Sequence, residues 1–342
     1  MIERRSLVLG LAASAAAAPL RAAAASRIEG QIESLQKRAH IPSISAVVAR
    51  GQQVEWARGF GSTDLGGGKP TTENTVYHLA SLTKPFAATL VLKLAEEGKV
   101  ALDDPVSRYG VRMENADQVK VRHILSHTSE GEPGSHYNYN GNRFSALDVV
   151  IRQAAGKPFA EVLQERIIVP LGLGRTAPNP QSPSFAVSGK DRAAYEAEMA
   201  VGYSWLKGKQ ELTAYPSGFN TAAGLTASAV DMATFSMAMD RNALLSPEWK
   251  AQAYRPAVGP KGEVFPYGLG WFVSRYRGQP IVWHYGLWTA ISSLIIKAPD
   301  KGLTFVLLAD SDALSAPYQL GAGKLESSPW ARAFLETYVA KA

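Results

Sequence analysis

Apolar positions along this chain recur at two spacings, and the places where one gives way to the other divide it. Over residues 43–49 and 53–60 apolar and polar side chains alternate on either side of Gly51, which predicts two strands joined as a hairpin. Asn74 to Ala80 reads as a short strand that runs into a turn. Beyond it Phe86, Leu90, Val91 and Leu94 recur at helical spacing until Gly98, with Pro85 tolerated in the first turn. Helical patterning continues over 146–155 and 159–167, and the plainest interruption is the loop 174–189 with Pro178, Pro180 and Pro183. After Gly268 the segments 269–275, 280–285, 291–298 and 304–309 predict successive strands, and a last helix near 329–340 closes the chain. Strands at both ends around a helical middle predict an α/β (α+β) protein. One sheet domain forms from residues 26–88 and 230–342, with a mostly helical domain, 89–229, inserted. No internal repeat is visible, and Gly66-Gly67-Gly68 reads as a flexible turn rather than a phosphate loop.

The first 25 residues stand apart. Arg4-Arg5 precede an apolar run, and an alanine-rich stretch ends at Ala23-Ala24-Ala25, which predicts an export signal cleaved near Ala25. Arg4-Arg5-Ser6-Leu7-Val8 is similar to a twin-arginine signal, and the run is short for a bilayer span. A periplasmic or secreted protein without stable membrane insertion is expected. The composition of the whole chain is ordinary for a globular protein, since 46% of the 342 residues are hydrophobic and 19% charged. Loss of the signal, with Glu3, Arg4, Arg5 and Arg21, lowers the formal charge from +6 to +4. No basic block stands out, so nucleic acid is not an expected partner. The chain has no cysteine, which excludes disulfides and thiolate metal sites.

Candidate chemistry centres on Ser81-Leu82-Thr83-Lys84, where a spacing of three puts a hydroxyl and an amine on one face of a first helical turn. Ser-x-x-Lys also occurs at Ser34–Lys37 and Ser204–Lys207. Ser34 lies in mid-helix and Ser204 precedes Gly208 in a turn-like segment, so Ser81 is the expected nucleophile, placed as the N-cap of its helix. Two further segments carry reactive or adaptable groups. Residues 133–144 present Tyr137 and Tyr139 just before a helix, and Trp283-His284-Tyr285-Gly286-Leu287-Trp288 lies at a strand end where Gly286 permits close approach to the backbone. Trp283, Tyr285 and Trp288 could line an acyl pocket, while alternation equally puts Trp283 and Tyr285 in the core. His123 and His127 stand four apart, a zinc spacing, yet lack the glutamate of His-Glu-x-x-His; no metal or cofactor is expected. His40 and His78 are expected to be fold or surface residues, and no Gly-x-Ser-x-Gly elbow is present.

Taken with the segments 94–106, 124–129, 224–233 and 267–271, these motifs resemble the serine penicillin-recognising enzymes, in the branch of class C β-lactamases, D-alanyl-D-alanine carboxypeptidases and related esterases. The resemblance spans nearly all of the mature chain. It implies a mainly antiparallel sheet flanked by helices, an inserted helical domain, and a site in the cleft between them. It implies Ser81 as the acylated nucleophile, Lys84 as the lysine that helps deprotonate it, and Tyr139 as the tyrosine of a Tyr-x-Asn element, with Tyr137 as runner-up. The N–H groups of Ser81 and Leu287 would form the oxyanion hole, and His284-Tyr285-Gly286 matches the third element. Three features depart from the family pattern: Gly141 stands in place of the asparagine, His284 in place of a lysine, and the linker before Pro133 is short. The expected substrates are therefore small esters, or amides without a nearby carboxylate. Acid is expected to favour carboxylated substrates as His284 gains charge. The competing readings are a β-lactamase or a carboxypeptidase acting on cell-wall peptides, and a non-catalytic protein that binds peptide or cell wall.

Overall fold

A computed structural model describes the backbone of residues 4–340 and the side chains of residues 19–340. The strands are β1 (Ser43–Arg50), β2 (Gln53–Gly61), β3 (Val76–His78), β4 (Ala177–Pro178), β5 (Tyr203–Leu206), β6 (Lys209–Leu212), β7 (Leu225–Ser228), β8 (Phe272–Tyr276), β9 (Gln279–Trp288), β10 (Ile291–Ala298) and β11 (Leu303–Ala309). Six of them form one antiparallel sheet in the order β2-β1-β11-β10-β9-β8, so the two ends of the chain meet at the β1–β11 pair. A small sheet, β3-β7-β4, and the hairpin β5-β6 lie apart from it.

Helices cover both faces of the large sheet, and strand alternation decides which side chain goes where. In β1, Ile44, Ala46 and Val48 pack against α1 (Arg4–Ala39) and the C-terminal helix; Val47 and Ala49 turn to the other core. That second core holds α2 (Thr83–Glu96) and most of the helical region: α3 (Val121–Leu125), α4 (Gly141–Phe144), α5 (Leu147–Ala155), α6 (Phe159–Leu163), α8 (Ala229–Asp240) and α9 (Pro247–Ala253), while α7 (Arg192–Ala197) buries Tyr195 in a separate small cluster with Val76, Ala177, Phe185 and Met199. The closing helix is α10 (Pro329–Phe334), which passes into a wider π turn over Leu335–Val339. Phe86 of α2 stacks on Phe235 of α8 at 3.9 Å, which ties the helix after Ser81 to the helix against the sheet.

Two local expectations change. The alanine-rich start and the helix that carries Ser34 are one element, because alanine has the strongest helix propensity, and the helix runs on through Pro19. The fully buried face of α1 begins at Ile28 and continues at Ile32, beyond the expected cleavage point, with Ala24 half-buried against the same core. The side chains of Arg4 and Arg5 lie outside the described residues. The loop 174–189 contains a strand, β4, and a 3-10 turn over Pro183–Ser188 capped by Ser182. Among the described residues no helix is long and apolar enough to cross a membrane.

Candidate active site

The segment that carries Ser81 is strained and then pinned. Strand β3 ends at His78, Ala80 takes a left-handed φ of 46°, and a 3-10 turn over Ala80–Leu82 leads into α2. A non-glycine residue in this region stores backbone strain that its surroundings must offset. Here three parts of the chain do so. The Leu79 carbonyl accepts from Ser293 Oγ of β10 at 2.7 Å, the Leu79 N–H donates to the Leu225 carbonyl of β7 at 2.9 Å, and Thr83 Oγ1 donates to the Ala80 carbonyl at 2.8 Å. Thr83 Oγ1 also accepts the Leu225 N–H at 3.1 Å. Gly286 of β9 lies against the same turn, where an added Cβ would stand 2.2 Å from the Leu79 carbonyl oxygen. Contrary to expectation, Ser81 is not a helix cap: Leu79 and Leu82 occupy the cap positions, and neither makes a side-chain cap bond. Long-range hydrogen bonds hold the turn in place of a cap, which leaves the half-buried Ser81 hydroxyl free for another partner.

That partner is Lys84, whose Nζ lies 2.8 Å from Ser81 Oγ and 2.9 Å from the Ala222 carbonyl. The spacing of three works because residues i and i+3 share a side of a 3-10 turn. Lys84 is 1% exposed and makes no ion pair among the described residues, and burial lowers its pKa to about 7. A neutral amine can donate an N–H to the Ala222 carbonyl and keep its lone pair for the Ser81 proton.

The two tyrosines are separated. Tyr137 donates its hydroxyl to the Gly321 carbonyl at 2.8 Å and is committed to the sheet domain. Tyr139 faces the pair: Lys84 Nζ stands 5.1 Å from its ring centre, and its buried hydroxyl has Ser81 as a polar neighbour without a well-formed hydrogen bond. Burial, and then Tyr285, raise its pKa well above the ordinary phenol value, so it is a proton donor or relay rather than a resident phenolate. A Cβ on Gly141 would lie 3.8 Å from Lys84 Nζ, so the missing side chain leaves the lysine side of the site open.

His284 shares a strand face with Gly286 but offers no cation. Its ring is fully buried, Nδ1 lies 2.8 Å from the Tyr285 carbonyl and Nε2 lies 2.8 Å from Tyr267 Oη. A carbonyl only accepts, so Nδ1 carries the proton and Nε2 accepts from the tyrosine. Burial, and then nearby Lys84, hold its pKa well below the usual imidazole range. The expectation that acid charges His284 in its working range is therefore corrected: neutral, doubly bonded imidazole is what this pocket selects. Leu287 and Trp288, at 39% and 37% exposed, form the rim where β9 ends, whereas alternation puts Trp283 and Tyr285 in the core.

The remaining candidates fall elsewhere. Ser34 is exposed on α1, and Ser204–Lys207 forms one side of the β5-β6 hairpin. His78 is buried against Tyr215 at 4.4 Å. His123 and His127 each accept a backbone N–H at Nδ1, from Lys120 and from Asn140. Two participants had no sequence signal of their own: the Ala222 carbonyl, because any residue supplies one, and Ala80, because strain at an alanine is invisible until neighbours impose it. Tyr267 was within a recognisable segment without an assigned contact.

A hydroxyl bonded to a buried lysine that makes no ion pair among the described residues, beside β9 and β10 of an antiparallel sheet, is the equipment of a serine hydrolase, with an amine where other such enzymes use an imidazole. The sequence model of the Beta-lactamase family matches residues 28–323, and the chain belongs to that family. It is 24% identical to penicillin-binding protein 4* of Bacillus subtilis (strain 168), over 78% of this chain and 68% of that one. It is 28% identical to esterase EstB of Burkholderia gladioli, over 73% of this chain and 79% of the relative. In fold it is similar to the octameric penicillin-binding protein homologue from Pyrococcus abyssi, with a TM-score of 0.77 and 22% identity, over 91% of this chain and 77% of that one.

Proposed function

We propose that the protein is an exported serine hydrolase that forms an acyl-enzyme on Ser81 with uncharged esters, or with amides lacking a nearby carboxylate. The observation that carries this reading is the 2.8 Å contact between Ser81 Oγ and a lysine that burial keeps near half-neutral at neutral pH. In the mechanism Lys84 takes the Ser81 proton as Oγ attacks the carbonyl carbon. The oxyanion rests between the N–H groups of Ser81 and Leu287; the first of these lies in an opening helical turn, where N–H groups have no intrahelical acceptor. Tyr139 carries the proton to the leaving group, and water then hydrolyses the ester of Ser81 with Lys84 or Tyr139 as base.

Treatment with a fluorophosphonate probe tests the assignment. One adduct on the peptide containing Ser81 is expected, and an adduct on Ser34 or Ser204 overturns it. Tyr139→Phe is expected to lower kcat for p-nitrophenyl acetate about a hundredfold, while Tyr137→Phe, which loses only the bond to Gly321, lowers it far less. The reverse ranking would transfer the role to Tyr137.

Substrate choice follows from the neutral His284 and from Gly141. Short-chain p-nitrophenyl esters should be turned over better than a chromogenic cephalosporin or a D-alanyl-D-alanine peptide. The ratio of kcat/KM values should stay flat across the range near pH 7 where Lys84 titrates, because protonation of Lys84 slows both substrates alike while burial favours neutral His284. A ratio that moves toward the cephalosporin in acid would show a charging imidazole. Export rests on the first 25 residues, and mature protein from a native-like host should begin near Ser26; full-length chain in the cytoplasm would refute this.

A further inference from the structure

His127 lies outside the set of groups that touch the reacting atoms, yet the backbone on both sides of Tyr139 is tied to it. The Asn138 N–H donates to the His127 carbonyl at 2.9 Å, and the Asn140 N–H donates to His127 Nδ1 at 3.1 Å. The imidazole packs on the Tyr139 ring with centres 4.3 Å apart and meets Tyr267 at 4.8 Å and Phe144 at 5.3 Å. Since Nδ1 accepts a backbone N–H, the ring proton sits on Nε2. That N–H is buried and has no hydrogen-bond partner.

An orphaned buried donor is a cost that a phenylalanine or leucine would avoid. The residue also holds a left-handed φ of 56°, which disfavours a branched or bulky side chain. Two unfavourable features at one position mean that packing alone does not account for the histidine; the Nδ1 acceptor does. Glu130 also reaches this segment, but it binds the side-chain amides of Asn138 and Asn140 and leaves the backbone at Tyr139 to His127. Tyr139 has no hydrogen bond at its own hydroxyl, so its reach toward Ser81 is set by this backbone and by ring contacts.

We infer that His127 is a positioning residue that holds Tyr139 in reach of Ser81 through its Nδ1 acceptor and its main-chain carbonyl. The inference rests on the proposed roles of Ser81 and Tyr139. It predicts a graded response. His127→Asn keeps an acceptor where Nδ1 lies and suits a left-handed φ, whereas His127→Leu has no acceptor and His127→Gln carries its amide too far out.

The test measures the rate of fluorophosphonate labelling and the kcat and KM for p-nitrophenyl acetate, on proteins shown to be folded by circular dichroism. His127→Leu and His127→Gln should lower the labelling rate and kcat about tenfold to a hundredfold with KM little changed, and His127→Asn should stay within about threefold of wild type. In a Tyr139→Phe background, His127→Leu should cost less than about threefold more, because it acts through the missing hydroxyl. Wild-type rates in the Leu and Gln variants, an Asn variant as slow as the Leu variant, or losses that multiply in the double variant would overturn the inference. Should the Leu variant not fold, the contrast between Asn and Gln decides. A wild-type protein that takes no label would instead refute the catalytic reading of Ser81, a separate result.

Discussion

Ser81→Ala is expected to abolish probe labelling and to lower ester kcat/KM by a factor on the order of 10⁴–10⁶, with an unchanged melting temperature. The size follows because, among the described residues, Ser81 is the one hydroxyl hydrogen-bonded to Lys84 Nζ. The unchanged stability follows from the structure: Ser81 caps neither helical turn, and the bonds that hold the turn come from Leu79, Thr83 and Ser293. A variant that melts lower would show that the hydroxyl helps hold the turn; a variant that is still labelled would show the wrong serine.

Lys84→Met is expected to lower the labelling rate about 10²- to 10⁴-fold. Methionine fills the lysine's volume without an amine, so the loss reports proton transfer rather than a cavity. In the wild type the labelling rate should rise with pH through about 7 and then level off, since only the amine form of Lys84 can take the Ser81 proton and its pKa is lowered to about 7. The sign of the stability effect is the same. Between about 7 and the ordinary 10.5 the unfolded chain binds the proton that the folded chain lacks, so folding is favoured as pH rises across that window, and the full penalty applies below it. Lys84→Met should remove this slope. A pH profile without the step near 7, or a methionine variant with unaltered labelling, would exclude Lys84 as base.

Much of the fold was legible because its signals are local. Alternation in 43–49 and 53–60 corresponds to β1 and β2, the four late strand-like segments correspond to β8–β11, and sheet formation from both termini followed from their order. Tyr139 and Tyr137 were open alternatives, because both precede the same helix, and it takes distant groups, the Gly321 carbonyl at Tyr137 and Lys84 at Tyr139, to distinguish them. His284 was read as a free titrating group because a motif shows neither burial nor the Tyr267 hydroxyl seventeen residues away. The capping role of Ser81 failed for a related reason: propensity near a helix start is a local rule, and contacts from β7, β9 and β10 replaced it with a strained turn.

The left-handed Ala80 makes reactivity a late product of folding. The turn that aims Ser81 is stabilised by Leu225, Gly286 and Ser293, the last of them 214 residues from Leu79, and none of these can act until the second half of the chain has docked on the first. A nascent or partly folded chain, although it already contains Ser81 and Lys84, therefore carries an ordinary alcohol beside an ordinary amine. On the proposed role of Ser81, label is expected to appear during refolding only once β7, β9 and β10 have packed against its turn.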